Sequence, residues 1–459
     1  MRMSDSDTIT AIATPPGIGA IAIVRMSGPQ ALAIAEKVVR CRPPALSQRP
    51  DRSIVVGKIM DENGVALDEV LVLMMRGPRS YTGEDVVEIH CHGSYRIASV
   101  ILRRLIQAGA RPAGPGEFTR RAFLNGRLDL VQAEAVAALI SSQSEMATAV
   151  ALRQKDGVLS RYLEDLYDRL LAAATRVEAW LDFPEEDIPE SWWTDMREVL
   201  VNSQGACTQL VEGWDRFRVA RDGIRVAILG RPNVGKSTLF NILAGRDRAI
   251  VSPHPGTTRD VIEQWIMWKG WTFCLADTAG IRESPCEVER EGVRRSMEEA
   301  RTADYILYLI ECCSAATPKD LDVLQQIGPT RALIVGSKDD LVVSDQFHRS
   351  LPEGFDFCTV SARREGSEQV VLEKLTQRLV SSNLGFGTPA LVSERQFDCV
   401  REVREILGRA IQELDSGPEG QFKVAYWIRL AAEKLAELLG KTYTSDLLDR
   451  IFSTFCIGK

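Results

Sequence analysis

The run Gly230-Arg-Pro-Asn-Val-Gly-Lys236-Ser237 fits the spacing GxxxxGK[ST], and its flanks restrict the fold more than any other segment of the chain. A β-rich apolar run, residues 224–229, precedes it, and a helical run, residues 238–243, follows. Strand, glycine loop and helix together form the arrangement in which backbone N–H groups close around phosphates. Val234, Gly235 and Thr238 line that loop, Lys236 reaches the β/γ oxygens, and Ser237 offers its hydroxyl to Mg²⁺. Further strand-like runs at 272–275, 305–310 and 331–335 alternate with helical stretches. This alternation predicts a mostly parallel sheet.

Other parts of a nucleotide site follow in order. Gly256-Thr-Thr258-Arg-Asp260 stands where a switch loop presents Thr258 to the metal. Asp277-Thr278-Ala279-Gly280 follows a strand, which sets Asp277 for a direct or water-mediated metal contact and Gly280 near the γ-phosphate. Ser337-Lys338-Asp339-Asp340 follows the last of those strands, where GTPases carry Asn-Lys-x-Asp. Asp340 would accept from guanine N1–H and the 2-amino group, which adenine cannot supply. Alone, the two aspartates would read as a solvated turn; after three upstream motifs they read as a base-reading pair. Ser361-Ala362 occupies the position of a loop that contacts the guanine carbonyl. Two departures stand out. Ser337 replaces the usual asparagine, and Ile281 stands where many small GTPases place a glutamine that orients the attacking water. Hydrolysis must then draw on another group, for which the charged run 283–291 offers candidates.

The flanking segments differ in kind. No proline occurs between Pro115 and Pro184, and Leu163, Leu166, Leu170, Ala174, Val177 and Leu181 recur at helical spacing. Residues 421–459 are likewise proline-free, with Ile428, Leu435 and Leu438 in helical register. The economical architecture is an α/β domain, residues 223–380, inserted into a helical domain whose parts are 121–222 and 381–459. Residues 1–120, with strand-like runs at 20–24, 54–59, 70–75 and 86–89 and a helical run at 94–107, form an α+β unit. Net charge is -7, from 56 Lys+Arg against 63 Asp+Glu, which excludes a surface coated in basic charge for gripping nucleic acid. The excess acidity falls in the helical segments, while residues 1–120 carry 15 basic and 12 acidic side chains. Ten cysteines without a CxxC pair read as reduced thiols, and no apolar run has membrane length. With no basic-apolar leader at the N-terminus, a cytoplasmic protein is expected.

Beyond the GTPase block, the chain carries Thr8-Ile-Thr-Ala-Ile-Ala-Thr-Pro-Pro16, Tyr81-Thr-Gly-Glu-Asp85, Gly116-Glu-Phe-Thr119, Arg121-Ala-Phe-Leu-Asn-Gly-Arg-Leu-Asp-Leu130, Leu181-Asp-Phe-Pro-Glu-Glu-Asp-Ile188 and Cys456-Ile-Gly-Lys459. With these it resembles the MnmE/TrmE family of tRNA-modification GTPases over essentially its whole length. The resemblance implies an N-terminal folate-binding and dimerising domain, a discontinuous helical domain and an inserted Ras-like P-loop GTPase domain. It implies GTP, Mg²⁺, K⁺ and a 5-formyl- or 5,10-methylene-tetrahydrofolate as cofactors. It also implies a homodimer that joins an FAD-dependent MnmG-type partner in a heterotetramer and installs an aminomethyl or carboxymethylaminomethyl group on C5 of the tRNA wobble uridine. Carried over by position, Asn233 would ligate K⁺ with groups from Ser252, His254 and Thr257, and Glu289 would orient the nucleophilic water through a bridging water. The folate site would comprise Arg25, Glu88, Arg127 and Lys459, with Cys456 near the site of modification. Ile18 and Ala20 depart from the glycine-rich Gly-Arg-Gly-Gly that the family usually carries after Pro16.

Two other readings compete. A ribosome-assembly or translation GTPase would place a basic, aromatic RNA-binding module beside the GTPase domain. A folate-dependent aminomethyl transferase with a vestigial GTPase conflicts with hydrolytic elements that are intact apart from Ser337.

Overall fold

A computed structural model describes residues 7–142, 144–182, 190–245, 249–250, 262–277, 301–341, 344–361, 363–380, 389–416 and 418–459. Two compact units emerge. One comprises Met1–Ala137, Leu152–Val211 and Ser393–Lys459; the other comprises Ala138–Ala151 and Glu212–Val392.

The first unit contains a seven-stranded sheet built from β1 (Ile9–Ile12), β2 (Ile18–Ser27), β3 (Val39–Cys41), β4 (Ile54–Met60), β5 (Ala66–Met75), β6 (Val86–Ser94) and β7 (Arg111–Pro112). Their spatial order is β3-β4-β5-β6-β2-β1-β7, antiparallel except for the β1–β7 pair. Successive side chains on a strand point to opposite faces. Val24, Val55, Val72, Val87 and Ile89 therefore share one face, which packs on Ile34 and Val38 from helix Ala31–Val38 and on Ile101 and Leu105 from helix Tyr95–Gln107. Burying each such side chain contributes about 1.5–3 kcal/mol. The opposite face stays open, with Ile21, Ile54, Val56 and Leu71 exposed on it. Register aligns Ile54, Leu73, Glu88 and Arg25 in one row across β4, β5, β6 and β2.

The same unit holds the helices Val158–Asp182, Glu394–Asp415, Pro418–Leu439 and Ser445–Ser453. Leu163, Leu166, Leu170, Ala174 and Val177 are all buried, as their spacing requires. The proline-free tail is not one helix: Gly440, at φ 77°, ends Pro418–Leu439 in the left-handed conformation that suits a helix stop. A polar knot ties distant segments together. Glu134 accepts from Arg395 Nε at 2.9 Å, Arg395 Nη2 at 2.8 Å and Gln396 Nε2 at 2.8 Å, in a site where Glu134 itself is buried.

The second unit contains a sheet of β8 (Ile224–Gly230), β9 (Ala249–Ile250), β10 (Ile262–Trp268), β11 (Trp271–Asp277), β12 (Tyr305–Glu311), β13 (Ala332–Ser337) and β14 (Asp356–Val360). The order is β14-β13-β12-β8-β11-β10-β9, and the five strands from β14 to β11 run parallel. Both faces of the sheet are covered. Val226 and Ile228 pack with Leu239 and Leu243 on one side, whereas Ala227 and Leu229 pack with Leu324 and Phe347 on the other. This is why β12 and β13 are continuous apolar runs without alternation. The sequence pattern alone missed β10 and β14. In β14, Asp356 and Phe357 at an exposed edge dilute the apolar signal.

Among the described residues, no helix is long and apolar enough to cross a membrane.

Candidate functional site

In the second unit, β8 ends at Gly230, and the helix Lys236–Ala244 starts six residues later. Gly230 sits at φ 145°, and a Cβ there would lie 2.7 Å from the carbonyl oxygen of Leu309. Asn233 at φ 64° and Gly235 at φ 100° complete a loop of left-handed turns whose N–H groups lead into the helix start. Val234 anchors this loop in the core, while Asn233, Ser237 and Thr238 are exposed. Lys236 curls over the loop, donating to the carbonyl oxygens of Gly230 at 3.0 Å and Arg231 at 2.8 Å.

The end of β13 lies against the same loop. Ser337 closes β13 and donates from Oγ to the carbonyl oxygen of Val234 at 2.7 Å. Lys338 follows at φ 60° and pairs with Glu311. Asp340 accepts from the Ser361 hydroxyl at 2.7 Å, a hydrogen bond that holds its carboxyl below the usual carboxylate range. Ser361 is buried, and its own carbonyl oxygen accepts from Ser367 Oγ at 2.7 Å. The structure thus joins Val234, Lys236, Ser337, Lys338, Asp340 and Ser361 in one loop cluster. The backbone of Asp277 ends β11, in register with Ile228. Ser252, His254, Thr257, Thr258, Thr278, Ala279, Gly280, Glu289 and Ala362 lie outside the described residues.

Sequence reasoning overlooked the groups that hold the loop from behind. Arg231 Nε lies 3.3 Å from Asp320 Oδ2, and Asp320 is fully buried. Tyr308 donates its hydroxyl to Asp320 Oδ1 at 2.9 Å, and Thr317 donates its backbone N–H and its hydroxyl to Oδ2 at 2.8 and 2.6 Å. Burial, with Asp320 beside it, pushes the Tyr308 hydroxyl well above its ordinary pKa. The spacing Thr317-Pro-Lys-Asp320 was the available signal, since it is a capping box.

A second cluster forms in the first unit. Arg25 on β2 faces Glu88 on β6, donating from Nε to Oε1 at 2.8 Å, and Nη2 lies 2.7 Å from the same oxygen. His90 Nε2 lies 3.3 Å from the other Glu88 oxygen. Arg25 also donates from Nη1 to the carbonyl oxygen of Gly458 at 3.3 Å, and its guanidinium lies near the rings of Tyr81 and Phe118. The segment 456–459 is stitched to the start of helix Glu117–Leu124: Ile457 bridges Pro115, and the Phe118 N–H donates to the Lys459 oxygen at 3.2 Å. Gly458, at φ 95°, passes so close to β1 that a Cβ would lie 2.6 Å from the Ile12 carbonyl oxygen. Burial, with the charge of Arg25 nearby, holds the Lys459 ammonium below its usual range.

Arg25, Glu88 and Lys459 therefore converge. Arg127 is exposed beyond the end of that helix, and among the described residues it forms no ion pair with them. Cys456 is exposed, whereas burial pushes the thiols of Cys207, Cys358 and Cys399 up to about 12. Ile18 is fully exposed where β2 shifts register against β6.

Behind this cluster stands an ion network partly among residues of the quoted motifs, to which the sequence assigns no individual role. Glu117, almost fully buried, accepts from Arg111 Nη2 at 2.6 Å and Arg121 Nη2 at 3.2 Å. Arg121 also contacts Asp7 Oδ1 at 2.5 Å and Glu84 at 3.2 Å. The network fixes the first turn of the helix that receives the 456–459 segment.

Comparison with known proteins covers nearly the whole chain. Residues 8–127 match the family model described as the GTP-binding protein TrmE N-terminus, and residues 130–456 match the MnmE helical domain. The chain is 41% identical to the tRNA modification GTPase MnmE of Moorella thermoacetica, over 99% of both chains. It is 40% identical to the protein of that name from Aquifex aeolicus, over 99% of this chain and 100% of the other.

Proposed function

Since this chain belongs to the MnmE (TrmE) family of tRNA modification GTPases, we propose that its GTP hydrolysis is K⁺-dependent and drives a folate-dependent modification of the tRNA wobble uridine. The product carries an aminomethyl or carboxymethylaminomethyl group on C5, and the protein acts in the cytoplasm as a homodimer with an FAD-dependent MnmG-type partner. One observation carries this reading. Besides the phosphate-binding loop, the chain holds a buried carboxylate, Glu88, clamped between Arg25 and His90 beside Lys459.

That donor set fits a reduced folate. The pterin ring presents an N–H/NH₂ edge to which a carboxylate is complementary, and cations suit the glutamate tail. Tetrahydrofolate, when bound, supplies the one-carbon unit. Glu88 would pair with the pterin edge, Arg25 would hold that carboxylate in place, and Lys459 and Arg127 would meet anionic or carbonyl groups of the ligand. The Arg25–Glu88 row shares the open sheet face with exposed Ile54, Val56 and Ile21, and an exposed apolar sheet face favours a second copy as its cover.

In the GTPase unit, Lys236 and the loop N–H groups would hold the β/γ-phosphates, while Ser237 and Thr258 would ligate Mg²⁺. Asn233 stands exposed on the loop, where its side chain is available to K⁺, with Ser252, His254 and Thr257 as the remaining candidates. A K⁺ held by Asn233 would supply positive charge against that developing on the phosphates. Glu289 would orient the nucleophilic water, the role that Ile281 cannot fill. Nucleoside analysis of bulk tRNA from cells lacking this gene tests the whole reading. Loss of the C5 modification at wobble uridine is the expected result, and unchanged wobble uridines would overturn it.

A further inference from the structure

We infer that this chain binds its purine nucleotide without reading N7 of the base, and so accepts a guanine nucleotide whose N7 is replaced by C–H as readily as the natural one. The inference rests on Asp340 being the acceptor for guanine N1–H and the 2-amino group.

Ser337 is the residue that decides it. It closes β13 immediately before Lys338, is 7% exposed, and has two oxygen neighbours: the carbonyls of Val234 at 2.7 Å and Ile310 at 3.5 Å. Carbonyl oxygens only accept, and a hydroxyl owns a single hydrogen. At 2.7 Å the hydrogen lies on the Val234 carbonyl, which braces the phosphate-binding loop. What the serine has left is lone pairs, with no second hydrogen to donate. Purine N7 is also an acceptor with no hydrogen, so the two atoms have nothing to share. The neighbouring hydroxyl is no substitute, because Ser361 spends its hydrogen on Asp340 Oδ1. The carboxylates of Asp339 and Asp340 accept only. Lys338 Nζ is drawn away to Glu311.

A side chain with two hydrogens at this position would brace Val234 with one and donate to N7 with the other. Serine keeps the brace and gives up the second contact. Base selectivity is thereby concentrated on the edge that Asp340 reads, opposite N7.

The test compares dissociation constants of the full-length protein for GDP, 7-deaza-GDP and IDP, measured by displacement of a fluorescent guanine nucleotide. GDP and 7-deaza-GDP should agree within about twofold, since no hydrogen bond is lost, while IDP, which lacks the 2-amino group, should bind about tenfold more weakly. Ser337→Asn should favour GDP over 7-deaza-GDP by about three- to tenfold, the worth of one added hydrogen bond. Ser337→Ala should weaken both equally, because the loop loses its brace whichever base is bound. A penalty of about fivefold or more on 7-deaza-GDP in the unaltered protein, with IDP still weak, overturns the inference alone. IDP binding as tightly as GDP overturns the reading of Asp340, and the inference with it. Should Ser337→Asn fail to fold, the comparison in the unaltered protein decides by itself.

Discussion

Glu88 is a buried carboxylate whose partners are all cationic or titratable, and this makes it the residue on which the proposed folate site turns. Glu88→Gln keeps the shape but loses the charge that holds Arg25. We expect tetrahydrofolate affinity to fall by about tenfold or more, read by equilibrium titration, while GTP hydrolysis is retained. The residue scale is also where sequence reading worked least evenly. Arg25 and Glu88 are 63 positions apart, and without the family resemblance each is one more charge; the β2–β6 register is what makes them an ion pair. Asp340 could be proposed from sequence because its motif has fixed spacing after a strand. Asp320 could not, because its role depends on Tyr308 and Arg231 arriving from other segments.

At the scale of elements, two contacts decide whether loops and caps stay in place. Tyr308→Phe leaves a buried carboxylate oxygen of Asp320 without its donor and should cost about 1.5–3 kcal/mol, seen as earlier urea unfolding of the GTPase unit. Glu117 anchors the helix that receives residues 456–459. Burial alone would raise its carboxyl, but hydrogen bonds from Arg111 and the Gly114 N–H, together with the charges of Arg111 and Arg121, bring it below the usual 4.5. A depressed folded-state pKa gives stability that is complete above about pH 4.5 and is lost as pH falls through the folded value. Glu117→Gln should therefore destabilise the protein by about 3 kcal/mol at neutral pH. The deficit against the unaltered protein should shrink in acid unfolding curves below pH 4.5. Long elements with one clean period were evident from sequence, as the buried Leu163–Leu166–Leu170 seam illustrates. Short strands such as Val39–Cys41 and Arg111–Pro112 were not, because two or three residues carry no period and exist only through their pairing.

For the whole molecule, the expected behaviour is that of a GTPase switched by a monovalent cation and a second copy. Hydrolysis should be at least about tenfold faster in KCl than in NaCl at equal ionic strength, a difference of about 1.4 kcal/mol in barrier. Equal rates would remove Asn233 from its proposed role. Ile54→Asp with Val56→Asp should convert a dimer into a monomer in sedimentation velocity, with the unfolding transition little changed, because both side chains are already exposed. A dimer that persists would place the contact elsewhere.

The knot around Glu134 bears on how such a chain comes together. Glu134 and Arg395 are separated by 261 positions, and the second unit is made in between. Closing so long a flexible loop is entropically slow, but an interposed segment that has already collapsed shortens the effective tether. Early collapse of the intervening α/β unit should therefore speed closure of the knot. That unit should gain hydrogen-exchange protection early, and the amides around Glu134 and Arg395 should gain theirs last. Mutations that slow its collapse will delay maturation of a carboxylate cluster in which they take no part.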